Sequence, residues 1–404
     1  MHTRYLTFIV LFILPIHSCT NLSKMSDNQR EYGHYKLYSY PDKIVDKKNE
    51  NTERFQKFAI IATNNFNGQI KPKVINIPNR FKEKRELQIG GVAAIKTYSD
   101  LLRGHYKEHT LFIDAGYFLN ETKDHHHTQF LRNYLNYDAG GIGPGEFQVV
   151  PRGSNSFQTY IKSLFSKSDF PLVASNIFDL KKADQITWPK VSDSVVITKS
   201  NLKFGLLSVI TPESTKNIPD RQVNNLYFQN AAKKILAKSR SLKRKGAQVI
   251  IVMANGEFDC TSLLSKQEGI PESKVNFVPF ESYHCDIQTN PFHKALELLP
   301  AGTVDVIISS GENSKVVNFI NDIPVVQNKG DGEYLSWIEM TFDFKHNAII
   351  KTKTKINQPI MLCHQFFKDS LDCFTEEDYE GKELIPASFL GEKVLIKEIP
   401  KLPL

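Results

Sequence analysis

The sequence predicts a layered α/β domain with mixed β-sheets, and three observations carry that prediction. Short apolar runs of strand length recur along the chain and alternate with amphipathic helical stretches. Towards the end the helices stop and several β-rich runs follow one another, as expected of antiparallel strands. Four strand runs end abruptly in loops rich in Asn, Gly and Ser, and in open α/β sheets such loops hold the ligands.

The first run, Phe58 to Ala62, reads as a buried strand that stops at Thr63-Asn64-Asn65-Phe66-Asn67-Gly68. Lys71 to Glu86 is polar and basic and reads as a loop. Gly90-Gly91 opens a helix with apolar positions Val92, Ile95, Tyr98, Leu101 and Leu102. A strand over Thr110 to Ile113 ends at Asp114-Ala115-Gly116-Tyr117, and Thr128 to Leu135 is helical. A glycine-rich turn, Gly140 to Phe147, follows. Next come a helix over Phe157 to Phe165 and a strand with its exit over Pro171 to Asn176. Ser194 to Thr198 pairs with Lys203 to Val209 as a hairpin, Asn230 to Lys245 is a helix, and Gln248 to Met253 is a strand ending at Asn255-Gly256. After a polar insertion, a helix (Pro291 to Leu299) and a strand (Val304 to Ser309) lead to Gly311-Glu312-Asn313-Ser314. The last strands are Pro324 to Gln327, Ser336 to Phe344 and Ala348 to Thr354, before an irregular tail.

Composition describes an ordinary globular chain, with 41% hydrophobic residues among 404 and a thinly spread net charge of +7. Seven basic residues cluster in Lys233 to Lys245 and read as the solvated face of an amphipathic helix, so no nucleic-acid partner is expected. Residues 1–18 read as an export signal: Arg4 precedes an apolar run, Tyr5 to Pro15, that is too short to span a bilayer. Ile16-His17-Ser18-Cys19 resembles a bacterial lipobox, which implies a lipid on Cys19, a membrane anchor at the cell envelope and a tether over 19–56. Four further cysteines, Cys260, Cys285, Cys363 and Cys373, are compatible with two disulfides, nearest-neighbour pairing being the simplest of three connectivities.

Nine short segments in order resemble the 5′-nucleotidase branch of the calcineurin-like metallophosphoesterases, over about residues 57 to 344. Thr63-Asn64-x-x-x-Gly68 resembles TNDxHG, Gly90-Gly91 the family's GG, and Asp114-Ala115-Gly116 its DAGD. Leu135 to Ala139 leading to Gly143-x-x-Glu146-Phe147 resembles LGYDAxxxGNHEFD. Phe170 to Asn176 and Phe204 to Thr215 resemble FPxLxANI and VGIIGxTTPET. Val304 to Gly311, Pro324 to Gln327 and Tyr334-Leu335 resemble VDVIxGGHTH, PVVQ and YLGxLxLTFD. The resemblance implies a single large α/β/β/α sandwich with two mixed sheets over 57–355, an insertion at 257–290 and an extension packed on it over 356–404. About 60 residues follow Phe344, too few for the domain that holds the base in these nucleotidases.

The family's chemistry needs two divalent metals roughly 3.5 to 4 Å apart, held by carboxylates and imidazoles. Carried over position by position, the eight metal and catalytic residues become Asn65, Asn67, Tyr117, Pro144, Gly145, Asn255, Glu312 and Ser314. An amide carries no charge. No metal or other cofactor is therefore expected, and the pattern is that of a pseudoenzyme that binds or scaffolds, its partner an unknown protein or a small polar ligand. Asn65, Asn67, Tyr117 and Asn255 could line a metal-free pocket.

The competing reading is an active phosphoric-ester hydrolase with a rearranged Mn, Zn or Mg site, its ligands drawn from Asp114, His125, His126, His127, Glu146 and Glu312. The bland reading of Asp124 to His127 is an exposed loop, and of Asp114 and Glu146 a pair of loop-holding carboxylates. His284-Cys285-Asp286 and Cys363-His364 lack C-x-x-C spacing and read as structural. Ser314 has no neighbouring histidine to activate it.

Overall fold

Alternation within one strand decides the layering. Phe58, Ile60 and Ala62 belong to one buried cluster, whereas Ala59 and Ile61 between them belong to another. A strand apolar on both faces must be covered on both. In the computed structural model of the chain the described residues are 52–78, 84–119, 124–149, 156–216, 218–256, 260–262, 283–285, 291–311, 316–367 and 384–386.

In chain order the strands begin with β1 (Phe55–Thr63), β2 (Lys73–Pro78), β3 (Lys84–Ile89), β4 (Thr110–Asp114), β5 (Ala139–Gly141) and β6 (Leu172–Val173). They continue with β7 (Ile177–Asp179), β8 (Asp184–Gln185), β9 (Val191–Ser192), β10 (Val195–Lys199), β11 (Leu202–Ile210) and β12 (Leu226–Phe228). Next are β13 (Val249–Asn255), β14 (Cys260–Ser262), β15 (Tyr283–Cys285), β16 (Val306–Ser310), β17 (Val316–Ile320) and β18 (Ile323–Gln327). The series closes with β19 (Tyr334–Asp343), β20 (Ala348–Ile349), β21 (Lys355–Met361), β22 (Gln365–Phe367) and β23 (Leu384–Pro386). The main helices are α1 (Val92–Tyr106), α2 (His125–Tyr134), α3 (Phe157–Phe165), α4 (Ala231–Arg244) and α5 (Pro291–Glu297).

Two mixed sheets result. The first runs β20-β19-β1-β4-β5-β6-β9, with β21 paired to β19, and the second runs β10-β11-β13-β16-β18-β17. Between them lies a cluster of Phe58, Ile60, Leu111 and Ile113 against Phe204, Leu206, Ile251 and Ile308. Phe58 meets Phe204 edge to face at 5.1 Å. Outside the first sheet, Ile95, Tyr98 and Leu102 of α1 and Leu164 of α3 close the core. Outside the second, Ile235 and Leu242 of α4 and Leu296 of α5 do so. The architecture is the expected α/β/β/α sandwich, a single domain. The basic run of α4 packs through Ile235, Ser239 and Leu242 while Lys233, Arg240 and Arg244 stay exposed, an ordinary amphipathic helix. Among the described residues no helix is long and apolar enough to cross a membrane.

Five local expectations differ. The basic Lys71–Glu86 stretch is not a loop, because β2 and β3 pair antiparallel within it, with Leu87 and Ile89 buried between exposed Glu86 and Gln88. Strand β17 goes unanticipated, and the strand expected over Ala348 to Thr354 shortens to β20 and a 3₁₀ turn. The tail is regular at its start, since β21 adds to β19. Finally, α2 begins at His125, because Asp124 caps it by accepting from the N–H groups of His126 and His127 at 3.1 Å. The leader, Cys19, residues 19–51 of the expected tether and Cys373 lie outside the described residues, and the tether's last residues, Phe55 and Gln56, belong instead to β1, which pairs with β19. The backbones of Cys260 and Cys285 are direct partners in the β14–β15 pair, and Cys363 is buried.

Candidate functional site

The carboxyl ends of β1, β4, β5, β13 and β16 meet at one edge of the sandwich. Thr63 lies beside Asp114, Asp114 beside Gly140, and Asn255 beside Ser310. This is the edge where the sequence places its candidate residues.

The asparagines there are engaged with backbone. The Asn65 amide donates to the Gly311 carbonyl and accepts from the Gly311 N–H at 3.1 Å, closing the exits of β1 and β16 on each other. Asn64 treats Asn328 the same way, accepting its N–H and donating to its carbonyl, both at 2.9 Å. Asn255 is fully buried. Its Nδ2 donates to the carbonyls of Ala115 (3.1 Å) and Ile142 (3.3 Å), and its Oδ1 accepts from Ser310 Oγ at 2.5 Å. Such pairs need one donor and one acceptor on the same side chain, which an amide has and a carboxylate lacks. Asn67 donates to Asp331 at 3.0 Å, and Lys73 of β2 bonds Glu333 at 2.7 Å, which pins the basic hairpin to this rim.

Tyr117, Pro144 and Gly145 fit one another sterically. Tyr117 stands at φ 60, as Asn65 and Asn67 stand at φ 50 and 53. Asparagine tolerates that left-handed region and tyrosine does so at a cost of about 1 kcal/mol or more. A Cβ added to Gly145 would come within 2.6 Å of Tyr117 Cδ1, so the ring fills the space of a larger side chain at 145. A Cβ on Gly143 would lie 2.1 Å from Asn255 Oδ1. Pro144 begins the 3₁₀ turn Pro144–Phe147, whose missing N–H suits a first helical position.

Two buried carboxylates lie beneath. Glu146 is 0% exposed and accepts from three backbone N–H groups, Tyr117 (3.1 Å), Phe118 (2.8 Å) and Gly143 (2.8 Å). Asp114, also 0% exposed, accepts from Thr63 Oγ1 at 2.6 Å, Gly116 N–H at 3.1 Å and Arg132 at 3.0 Å. Burial pushes its carboxyl up to about 6 against the opposing pull of the Arg132 guanidinium. Arg132 is itself fully buried, its guanidinium 4.7 Å from the Phe118 ring and 5.4 Å from the Phe170 ring.

The sequence reading overlooks Arg132. On α2 the positions 125, 128, 129 and 132 share one face, and all four are buried though all four are polar. The helical spacing was visible in the sequence; an inward polar stripe contradicts the usual apolar rule.

Asp124 to His127 is not the exposed loop of the bland reading but the capped start of α2, and among the described residues its histidines turn to different partners. His125 points inward and bonds Tyr160 at 2.9 Å, while exposed His126 faces Lys167 at 3.2 Å. His364 bonds the Gly90 carbonyl at 2.8 Å, a structural role. Among the described residues no group of three or more His, Cys, Asp or Glu side chains could hold a metal ion. Glu312 and Ser314 lie outside the described residues.

No family model matches the chain. Curated relatives include the 5′-nucleotidase of Bos taurus, 26% identical over 68% of this chain and 44% of that protein. An apyrase of Aedes albopictus is 21% identical over 63% of this chain and 43% of its own length. The chain thus spans less than half the length of these relatives. Among solved structures, the NAD nucleotidase of Haemophilus influenzae matches with a TM-score of 0.55 at 15% identity, over 77% of this chain and 51% of that one. A calcineurin-like phosphoesterase of Bacillus subtilis matches with a TM-score of 0.53 at 16% identity, over 76% of this chain and 91% of that one. In both sequence and fold, this chain resembles the 5′-nucleotidase-like branch of the calcineurin-like metallophosphoesterases.

Proposed function

We propose that this metallophosphoesterase-fold protein has lost dinuclear-metal hydrolysis and works by binding or scaffolding at the cell envelope. The observation that carries the reading is the closure of the ligand edge by amides. Asn65 is engaged with Gly311, and Asn255 with Ala115, Ile142 and Ser310. Two adjacent divalent cations need several anionic or imidazole donors aimed at a common point. The described positions instead offer neutral amides, a tyrosine, a proline and a glycine, and the two nearby carboxylates are engaged with Arg132 and with three N–H groups. These residues do not fit the metal pair.

Metal analysis of the purified full chain, with chromogenic phosphate mono- and diesters and added Mn²⁺, Zn²⁺ or Mg²⁺, tests the loss. The expected result is no turnover above the blank and no shift of Tm with chelator. Two metals per chain, with turnover abolished by Glu312→Ala or His126→Ala, would overturn the reading in favour of the hydrolase.

The envelope placement rests on the apolar leader and Cys19. A Cys19→Ser variant is expected to leave the membrane fraction; its retention there would remove the lipid anchor from the proposal.

A further inference from the structure

Among the described residues, the opposite end of the sandwich is open where the ligand edge is closed. A cleft of about 700 Å³ lies there, in the size range of small-molecule sites. It forms where the two sheets part. Asp305 before β16 and the β17–β18 turn bound it on the second sheet, and Met340 of β19 with Ile349 of β20 bound it on the first. The strand directions put it at the far end from Asn65 and Asn255, since β13 and β16 enter here and leave at the ligand edge. It is therefore independent of whether that edge is catalytic.

The lining has a distinct chemistry. Apolar Leu296, Ile323, Pro324 and Met340 alternate with hydrogen-bonding groups, and Phe319, 40% exposed on edge strand β17, stands as an aromatic wall. Lys243 and Lys351 face Glu297, Asp305 and Asp322, two cations against three anions, a difference of one. That near-cancellation gives no attraction for a polyanion such as a nucleotide. Asp305 accepts from the Ile250 N–H at 2.8 Å through one carboxylate oxygen, and its other oxygen takes no hydrogen bond among the described residues. Gln248 donates to Asn347 at 3.0 Å and accepts from the Lys203 N–H at 3.1 Å, which fixes its amide at the rim.

A ligand matching these walls has C–H faces for the aromatic ring and a rim of hydroxyls for the carboxylate and amides. We propose that this cleft binds a neutral polyhydroxylated ligand of the saccharide class, with Phe319 stacking against it and Asp305 accepting from its hydroxyls.

Saturation-transfer NMR on the full chain with maltotriose and with N,N′,N″-triacetylchitotriose tests this, with AMP as comparator. Transfer to at least one trisaccharide is expected. Phe319→Ala, on a half-exposed edge, should weaken binding about fivefold or more, and Asp305→Asn, which keeps an acceptor for the Ile250 N–H, should also weaken it. Near-ultraviolet circular dichroism confirms that both variants fold. Transfer to neither trisaccharide, transfer unchanged in both variants, or transfer to AMP alone would each overturn the proposal.

Discussion

Arg132→Met is expected to destabilise the protein by roughly 3–5 kcal/mol near pH 8, because it leaves the Asp114 carboxylate buried without its cation. The pH dependence identifies the cause. Asp114 has its folded value raised to about 6 from 3.8. A raised carboxylate binds its proton more tightly in the folded than in the unfolded state. Its ionisation therefore lowers stability as pH rises from about 4 to about 6 and adds nothing further above that, a total of roughly 3 kcal/mol. Without Arg132 the folded value climbs higher, so the variant continues to lose stability above pH 6 where the parent has levelled off. Urea unfolding at pH 5 and pH 8 reads this directly: the deficit should be smaller at pH 5. The double variant Arg132→Met/Asp114→Asn should recover part of the loss at pH 8. An equal deficit at both values, or one below about 1 kcal/mol, would mean that the pair does not hold this edge together.

Glu146→Ala should cost a comparable amount, roughly 4 kcal/mol, through a different mechanism. Truncation leaves the N–H groups of Tyr117, Phe118 and Gly143 without their acceptor, at about 1–3 kcal/mol for each donor that stays buried and unsatisfied. Against a total stability on the order of 5–15 kcal/mol, that is a large fraction. Glu146→Gln keeps one carbonyl oxygen and should lose about half as much. Thermal or urea unfolding in chelator gives the measurement. A Glu146→Ala protein with its parental midpoint, but altered metal content, would instead make Glu146 a ligand, as the hydrolase reading requires.

Much of the fold was legible because its determinants are local. Helix α3 covers Phe157 to Phe165 as expected, and α4, expected over Asn230 to Lys245, starts one residue later because Asn230 caps it, accepting from the Lys233 N–H at 3.0 Å. The β2–β3 hairpin was obscured by its charge: Lys73, Lys84, Arg85 and Glu86 sit among Ile75, Leu87 and Ile89, and composition outweighed the period of two. Strand β21 was obscured because its partner, β19, lies in the sheet rather than in the neighbouring sequence. At the ligand edge, the sequence showed which residues stand where metal ligands would be expected, but not what they hold.

By itself, then, the amino-acid order determined the alternation of strands and helices, since burial period is a property of short segments, and through its resemblance to a known family it implied the α/β/β/α layering and the eight altered positions. The tertiary structure decided how those positions are used. Asn65 meets Gly311 across 246 residues, Asn255 meets Ala115 across 140, and Arg132 finds Asp114 only because α2 lies against β4. Which donor meets which acceptor depends on chain segments brought together by the two sheets, and no local pattern encodes that meeting.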